Sequence, residues 1–322
     1  MGTRVLYILG TSRCGSTILD NILGELPGFL SVGEFRFLWE RLEQRRRCGC
    51  GASVNECEFW KQVLETAFEG CSAIPKPLEV VEWQRKTARM KHTWRLLRET
   101  PDAVSGSEPL ARYLRLIERV YQAAAQVSGA QVIVDSSKWP ASGALLPLIP
   151  GVEPYFVHMV RDPRAVAYSQ LRRKANLDRD QPAEMPRVGP VMNAIHWMVV
   201  NLAAEAVRRR GSEGESFVLR YEDFIARPLE TIKGIAGFTG KNPRELPFVD
   251  ERTVELGVNH TVSGNPRRFA RGRVELRPDD EWASRLSTKD RFVTNVLLAP
   301  LMPRYGYSIS LRSRASPLRR MR

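Results

Sequence analysis

Residues 5–23 read VLYILGTSRCGSTILDNIL. The apolar run Val5–Leu9 enters a loop of small residues and leaves it as a helical pattern. Ile18, Leu19, Ile22, Leu23 and Leu26 form that helix's stripe. Strand, glycine loop and helix in this order predict an anion-binding turn. Gly10 and Gly15 let successive N–H groups converge, and the helix from Ser16 adds unpaired donors at its positive dipole end. From Gly10 to Thr17 the spacing is G-x-x-x-x-G-S-T, a Walker-like loop with Ser16 where the lysine would stand. Its fixed charge is Arg13, a planar fork suited to phosphate oxygens. Ser12, Arg13, Cys14, Gly15, Ser16 and Thr17 are therefore read together as phosphate-binding.

The remaining chain predicts an α/β fold. Val132–Val134, Tyr155–Val160 and Phe217–Leu219 read as three more buried strands. Leu110, Leu114, Ile117, Val120, Ala124 and Val127 form one helical stripe between them. Ile195, Met198, Val199, Leu202 and Ala206 form another, closed by Arg208–Arg210 and Gly211. Alternating strands and helices predict a P-loop-like parallel sheet flanked by helices, with ligands at the carboxyl ends of the strands. Residues 1–322 read as a single domain. Residues 36–105 are expected to be a helical cap insertion over the ligand edge, carrying the acceptor-binding surface.

Composition narrows the function classes. Of 322 residues, 43% are apolar, enough for a sizeable core, and no apolar stretch approaches the roughly 20 residues that span a bilayer. The first apolar run is too short for a signal peptide, which favours a cytoplasmic protein. Lysine and arginine number 49 against 36 acids, a formal charge of +13. That excess suits an anionic small ligand, an anionic membrane face or nucleic acid. No aromatic–basic stacking platform is evident, so nucleic acid ranks last. The basic tail 310–322 has no hydrophobic period; it is expected to be mobile, and a peripheral membrane contact is open to it. Five cysteines fit a reduced compartment. Cys48, Cys50 and Cys57, with Cys71 beyond, follow a C-x-C-x6-C spacing that matches no standard zinc pattern. With no two histidines at ligand spacing, a turn of reduced thiols is favoured over a metal or disulfide, and no metal is expected.

Three further motifs follow predicted strands. "VRDPRAVAYS" places Arg161 and Ser169 at a helix start, "RYED" contains Tyr221, and "SGNPRRF" is a late Gly/Pro loop with two arginines. Each alone has a structural explanation. Arg161 could merely pair with Asp162, and Lys138 in "VIVDSSK" with Asp135. Glu34 in "SVGEFRF" could merely cap the next helix.

Taken together, the four motifs resemble the nucleotide signature of sulfotransferases that use 3′-phosphoadenosine 5′-phosphosulfate (PAPS), over nearly the whole chain. The resemblance implies that "TSRCGST" holds the 5′-phosphosulfate and that Arg161 and Ser169 hold the 3′-phosphate. Tyr221 and the loop residues Gly264, Asn265, Arg267 and Arg268 would complete the nucleotide site. It further implies Glu34 as general base, with Arg13, Lys138 and Ser263 assisting at the transferring group. The acceptor would be a hydroxyl of a small molecule, a carbohydrate or a glycolipid, and no metal would be required. Arginine in the loop is similar to the carbohydrate and tyrosyl-protein branches. Two alternatives remain open: a P-loop kinase or NTPase with Asp135 as magnesium ligand, and a non-enzymatic anionic membrane or nucleic-acid binder.

Overall fold

β1 (Thr3–Gly10) is the middle strand of a five-stranded sheet ordered β2-β3-β1-β4-β5. Its partners are β2 (Phe29–Gly33), β3 (Val132–Lys138), β4 (Val152–Val160) and β5 (Ser216–Arg220). Every pairing is parallel. The computed structural model describes residues 2–104, 108–172, 175–178, 183–184, 187–210 and 215–309. The tail 310–322 and Gly211 lie outside the described residues.

A parallel sheet is covered on both faces, so its strands are near-continuous apolar runs. β1 shows the consequence. Val5, Tyr7 and Leu9 enter one core, while Leu6 and Ile8 enter the other. The first core is closed by α2 (Leu38–Glu43), α3 (Glu58–Phe68), α4 (Pro77–Thr87) and α5 (Glu108–Ser128). α5 carries the expected stripe from Leu110 to Ala124. The second core holds α1 (Ser16–Gly24), α8 (Tyr221–Ala226), α9 (Pro228–Phe238) and the hairpin of β6 (Thr253–Leu256) and β7 (Gly272–Glu275). A smaller cluster joins α6 (Pro163–Leu171), α7 (Pro190–Arg208) and α10 (Thr288–Leu298).

Two sequence expectations need correction. β2 was absent from the predicted strands, because "FLSVG" is short and reads as a glycine turn. Its pairing with β3 supplies the missing signal, and the Val262 N–H caps its outer edge by donating to the Val32 carbonyl. The stripe read on α7 faces outward: Ile195 is 41% and Val199 44% exposed. The buried face is Asn193, Ala194, Trp197, Val200, Asn201, Ala204 and Val207. A polar pair turned the helix. Buried His158 meets Asn201 Oδ1 at 2.9 Å, and Trp197 Nε1 donates to the Arg161 carbonyl. Burial holds the His158 imidazole down at about 4, so it stays neutral there.

Candidate active site

Each strand of the sheet delivers a residue at its carboxyl end to one cleft of about 700 Å³. Ser12 and Arg13 follow β1, Glu34 follows β2, Lys138 ends β3, Arg161 follows β4 and Tyr221 follows β5. This is the edge where open α/β sheets bind ligands. Six cations line the cleft (Arg13, Arg41, Lys138, Arg161, Arg172 and Arg267) against the three carboxylates Glu34, Asp178 and Asp279. The field there favours an anion.

The loop after β1 has the shape its glycines predict. Gly15 adopts φ 99°, and a Cβ there would stand 2.3 Å from Tyr221 Cδ2. Arg13 is also left-handed, with φ 68°, a rare state for a residue with a Cβ. Its carbonyl accepts from Arg161 Nη1 at 3.1 Å, which braces the strained turn. Burial draws the Arg13 guanidinium below the usual arginine value, and Glu34 opposes that shift. Ser12, Gly15, Ser16 and Thr17 line the cleft. Cys14 does not. Its side chain is fully buried in the core, and its N–H donates to the Thr11 carbonyl. The alternation along the loop turns Cys14 inward as Arg13 turns outward.

Arg161 does not pair with Asp162. That carboxylate caps α6 through the Arg164 N–H and forms a two-pronged pair with the Arg164 side chain, at 2.9 and 2.7 Å. Arg161 lies over the Tyr221 ring, 4.4 Å from its centroid, and Nη2 donates to Asp279 Oδ2 at 2.8 Å. Ser169, on α6, also lines the cleft. In "RYED", Glu222 is half-buried and accepts from the Asp162 N–H and the Tyr307 hydroxyl, so this motif locks the turn after β4.

Glu34 and Lys138, which line the same cleft, form an ion pair at 2.5 Å. Glu34 does precede a short 3₁₀ turn, but its side chain makes no capping bond. Lys138 is left-handed, with φ 66°, and also donates to the Ser136 carbonyl. Asp135 is instead held by the Tyr121 hydroxyl at 2.6 Å and the Ser137 N–H at 2.7 Å. It is 1% exposed, does not line the cleft, and burial raises its pKa to about 6. The magnesium-ligand reading of Asp135 has no support in this position.

The late loop closes the cleft. Asn265 N–H donates to Thr17 Oγ1, tying the loop to α1. Ser263, Gly264, Asn265 and Arg267 line the wall, and the Glu34 N–H donates to the Ser263 carbonyl. Ser263 Oγ accepts from Arg41 Nε and Nη2, at 3.3 and 3.1 Å. Arg41 was not singled out in the sequence, where it sits among the charges of α2; only the fold shows it reaching the cleft. Arg268 must be withdrawn from the nucleotide set. It is 0% exposed and donates to the carbonyls of Thr261 and Arg47 and to Asp178. Of residues 36–105, Phe37 and Arg41 alone line the cleft among the described residues, whereas Gln170, Arg172, Ala175, Leu177, Asp178 and Val188 also line it. The thiols of Cys48, Cys50 and Cys57 stand with the His260 imidazole, all four donor atoms within 4.8 Å. The spacing rule missed this cluster because its fourth member comes from the distant late loop.

The profile described as the sulfotransferase family matches residues 6–242. A sulfotransferase domain from the curacin biosynthetic pathway superposes with a TM-score of 0.51 at 15% identity, covering 92% of this chain and 96% of that one. The sulfotransferase domain of the Synechococcus PCC 7002 olefin synthase gives 0.49 at 18% identity, covering 92% and 94%. A comparison with curated proteins gave no match. Among the described residues no helix is long and apolar enough to cross a membrane. The family match spans the β1 loop, the β4 turn and "RYED", which all reach the cleft, and the chain belongs to the sulfotransferase family.

Proposed function

We propose that the protein transfers a sulfonyl group from PAPS to a hydroxyl of a small-molecule, carbohydrate or glycolipid acceptor. One observation carries this reading. The cleft gathers the donor-rich loop with Arg13 together with Arg161 and Ser169, a donor set that suits a nucleotide charged at both its 5′ and 3′ positions. Arg161 Nε is buried without a hydrogen-bond partner, a donor left over by the protein's own contacts. Asp279 holds Arg161 as an anion would, so ligand binding has to move or share that carboxylate.

When bound, PAPS supplies the sulfonyl group and a stable leaving nucleotide, 3′-phosphoadenosine 5′-phosphate (PAP). The chain's residues do the rest. Ser12, Ser16, Thr17 and the loop N–H groups hold the 5′ end. Arg13 sets a fixed positive charge where charge develops on the bridging oxygen. Glu34 takes the proton of the attacking hydroxyl. Protonation cancels the Glu34 charge and loosens its grip on Lys138, whose ammonium is then available to the leaving oxygen. Arg41 orients Ser263 beside this pair. Phe37, Leu177 and Val188 give the cleft an apolar side suited to the acceptor's body.

The test is transfer of labelled sulfonyl from PAPS to a panel of alcohols, sugars and phenols, in buffer without magnesium. Transfer is expected for wild type. Glu34→Gln should lose roughly 10²–10⁴-fold in turnover while keeping its PAP affinity. Near-normal turnover in a folded Gln variant would remove Glu34 as base.

A further inference from the structure

Cys48, Cys50, Cys57 and His260 lie beside the cleft and take no part in the proposed transfer. Their arrangement is nevertheless built. Gly51 N–H donates to the Cys48 carbonyl, closing a tight knuckle around the first two thiols. The Gly49 N–H donates to the Thr261 carbonyl, and a Cβ on Gly49 would stand 1.9 Å from Asn259 Oδ1. Only glycine allows so close an approach of the two segments. Cys57 opens α3. His260 stacks on Phe59, with ring centroids 4.9 Å apart, and its carbonyl accepts from Trp60 Nε1 at 2.8 Å. These contacts point Nδ1 at the thiols, 3.2 Å from Cys57 Sγ and 4.0 Å from Cys48 Sγ.

Those distances fit a common ion. Zinc bonds of about 2.3 Å to sulfur and about 2.0 Å to nitrogen place tetrahedral ligand atoms roughly 3.5–3.8 Å apart. The four donors lie within 4.8 Å of one another, so small rotamer adjustments complete the tetrahedron. Three thiolates and an imidazole make a closed, soft donor set, which favours zinc over magnesium or calcium. An iron–sulfur cluster ordinarily takes four thiolates. Zinc with three thiolates carries one net negative charge. Arg271 faces it, donating to the carbonyls of Gly49 and Cys50. Cys50 and His260 are half-buried, which leaves the ion a way in.

We propose that these four residues bind one structural zinc ion per chain. The ion fastens the start of the cap to the late loop, two segments about 200 residues apart in sequence. The loop leads directly into Ser263, Gly264 and Arg267, and its Val262 N–H covers the β2 edge. A cross-link between such distant segments restricts the unfolded chain as a disulfide would, and its binding energy is folding energy. It also fixes the part of the cleft wall that carries Ser263, Gly264 and Arg267.

The experiment is elemental analysis of full-length protein purified without chelator under reducing conditions, followed by cobalt replacement. One zinc per chain is expected. Cobalt should give the visible bands of a tetrahedral thiolate centre. Cys57→Ser and His260→Ala should lose the metal and melt lower, while Cys71→Ser, an exposed thiol outside the cluster, should keep both metal and melting temperature. If the cluster variants do not fold, the wild-type cobalt spectrum decides. Less than half an ion per chain after incubation of the reduced wild type with zinc, or a native Cys48–Cys57 disulfide detected as a mass lower by two hydrogens, would overturn the proposal. Metal content is read without any transfer assay, so failure here leaves the proposed function standing.

Discussion

One short run supplies Ser12, Arg13, Gly15, Ser16 and Thr17 as one wall of the cleft, while a second wall draws Glu34, Arg41, Lys138 and Ser263 from separated segments. The first wall is shaped by local chemistry: two glycines at positive φ, a helix start and a strained Arg13. The second is shaped by distant partners. Glu34 is placed by Lys138 and the Ser263 carbonyl, Ser263 by Arg41, and the whole loop by buried Arg268. A local wall can be damaged at a single backbone position. A distributed wall fails when one of its buried braces is removed.

Arg268→Ala tests the distributed wall, and the largest effect is expected there. The change leaves Asp178 and two carbonyls without their buried donor. Breaking a buried charge pair costs about 3–5 kcal/mol, read as a large drop in melting temperature. An Arg268→Ala protein that folds normally and loses only PAP affinity would return Arg268 to the nucleotide site and break the contrast between the walls. Gly15→Ala tests the local wall. With φ 99° and Tyr221 at 2.3 Å from the new Cβ, a smaller loss of roughly 1–3 kcal/mol is expected, with weaker PAP binding as Tyr221 shifts. Unchanged melting and binding would mean that the loop is not held in this conformation.

The asymmetry also explains what the sequence reveals. Val5 to Leu23 shows its strand, loop and helix because each depends on neighbours a few residues away. Arg161 and Ser169 were legible for the same reason, since both follow a buried strand into a proline-started helix. β2 was hidden because "FLSVG" becomes a strand only beside β3. Arg41 and His260 were hidden because nothing near either residue points to its partner. Arg268 was misread because a two-arginine loop does not reveal which arginine turns inward. On α7 the apolar stripe misled because His158 and Asn201 gave the buried face a polar centre.

Asp20 sharpens the comparison on the local side, with the smallest effect. On α1 it is 1% exposed, accepts from Ser31 Oγ at 2.6 Å, and burial raises its pKa to about 8. A carboxyl raised in the folded state stabilises fully below its unfolded value of about 4, and that contribution is lost as pH rises toward 8. Between pH 5 and 7 stability should therefore fall by up to about 1.4 kcal/mol per pH unit from this group. Asp20→Asn should remove that slope, so that the variant gains on wild type as pH rises. Comparing the two proteins cancels the titration of His158, and the nearby Asp135 charge adds to the Asp20 shift. Parallel curves would show that Asp20 ionises without cost in the fold.

The most direct test of the nucleotide reading of the cleft is calorimetric titration of wild type and Arg161→Ala with PAP and with adenosine 5′-phosphate, in magnesium-free buffer. Wild type should prefer PAP clearly. Arg161→Ala should weaken PAP by about 1.5–3 kcal/mol, the scale of one charged hydrogen-bond partner, and adenosine 5′-phosphate by clearly less, through the lost brace on the Arg13 carbonyl alone. Equal affinity of wild type for the two nucleotides, or an equal loss of both in the variant, would contradict a 3′-phosphate station at Arg161.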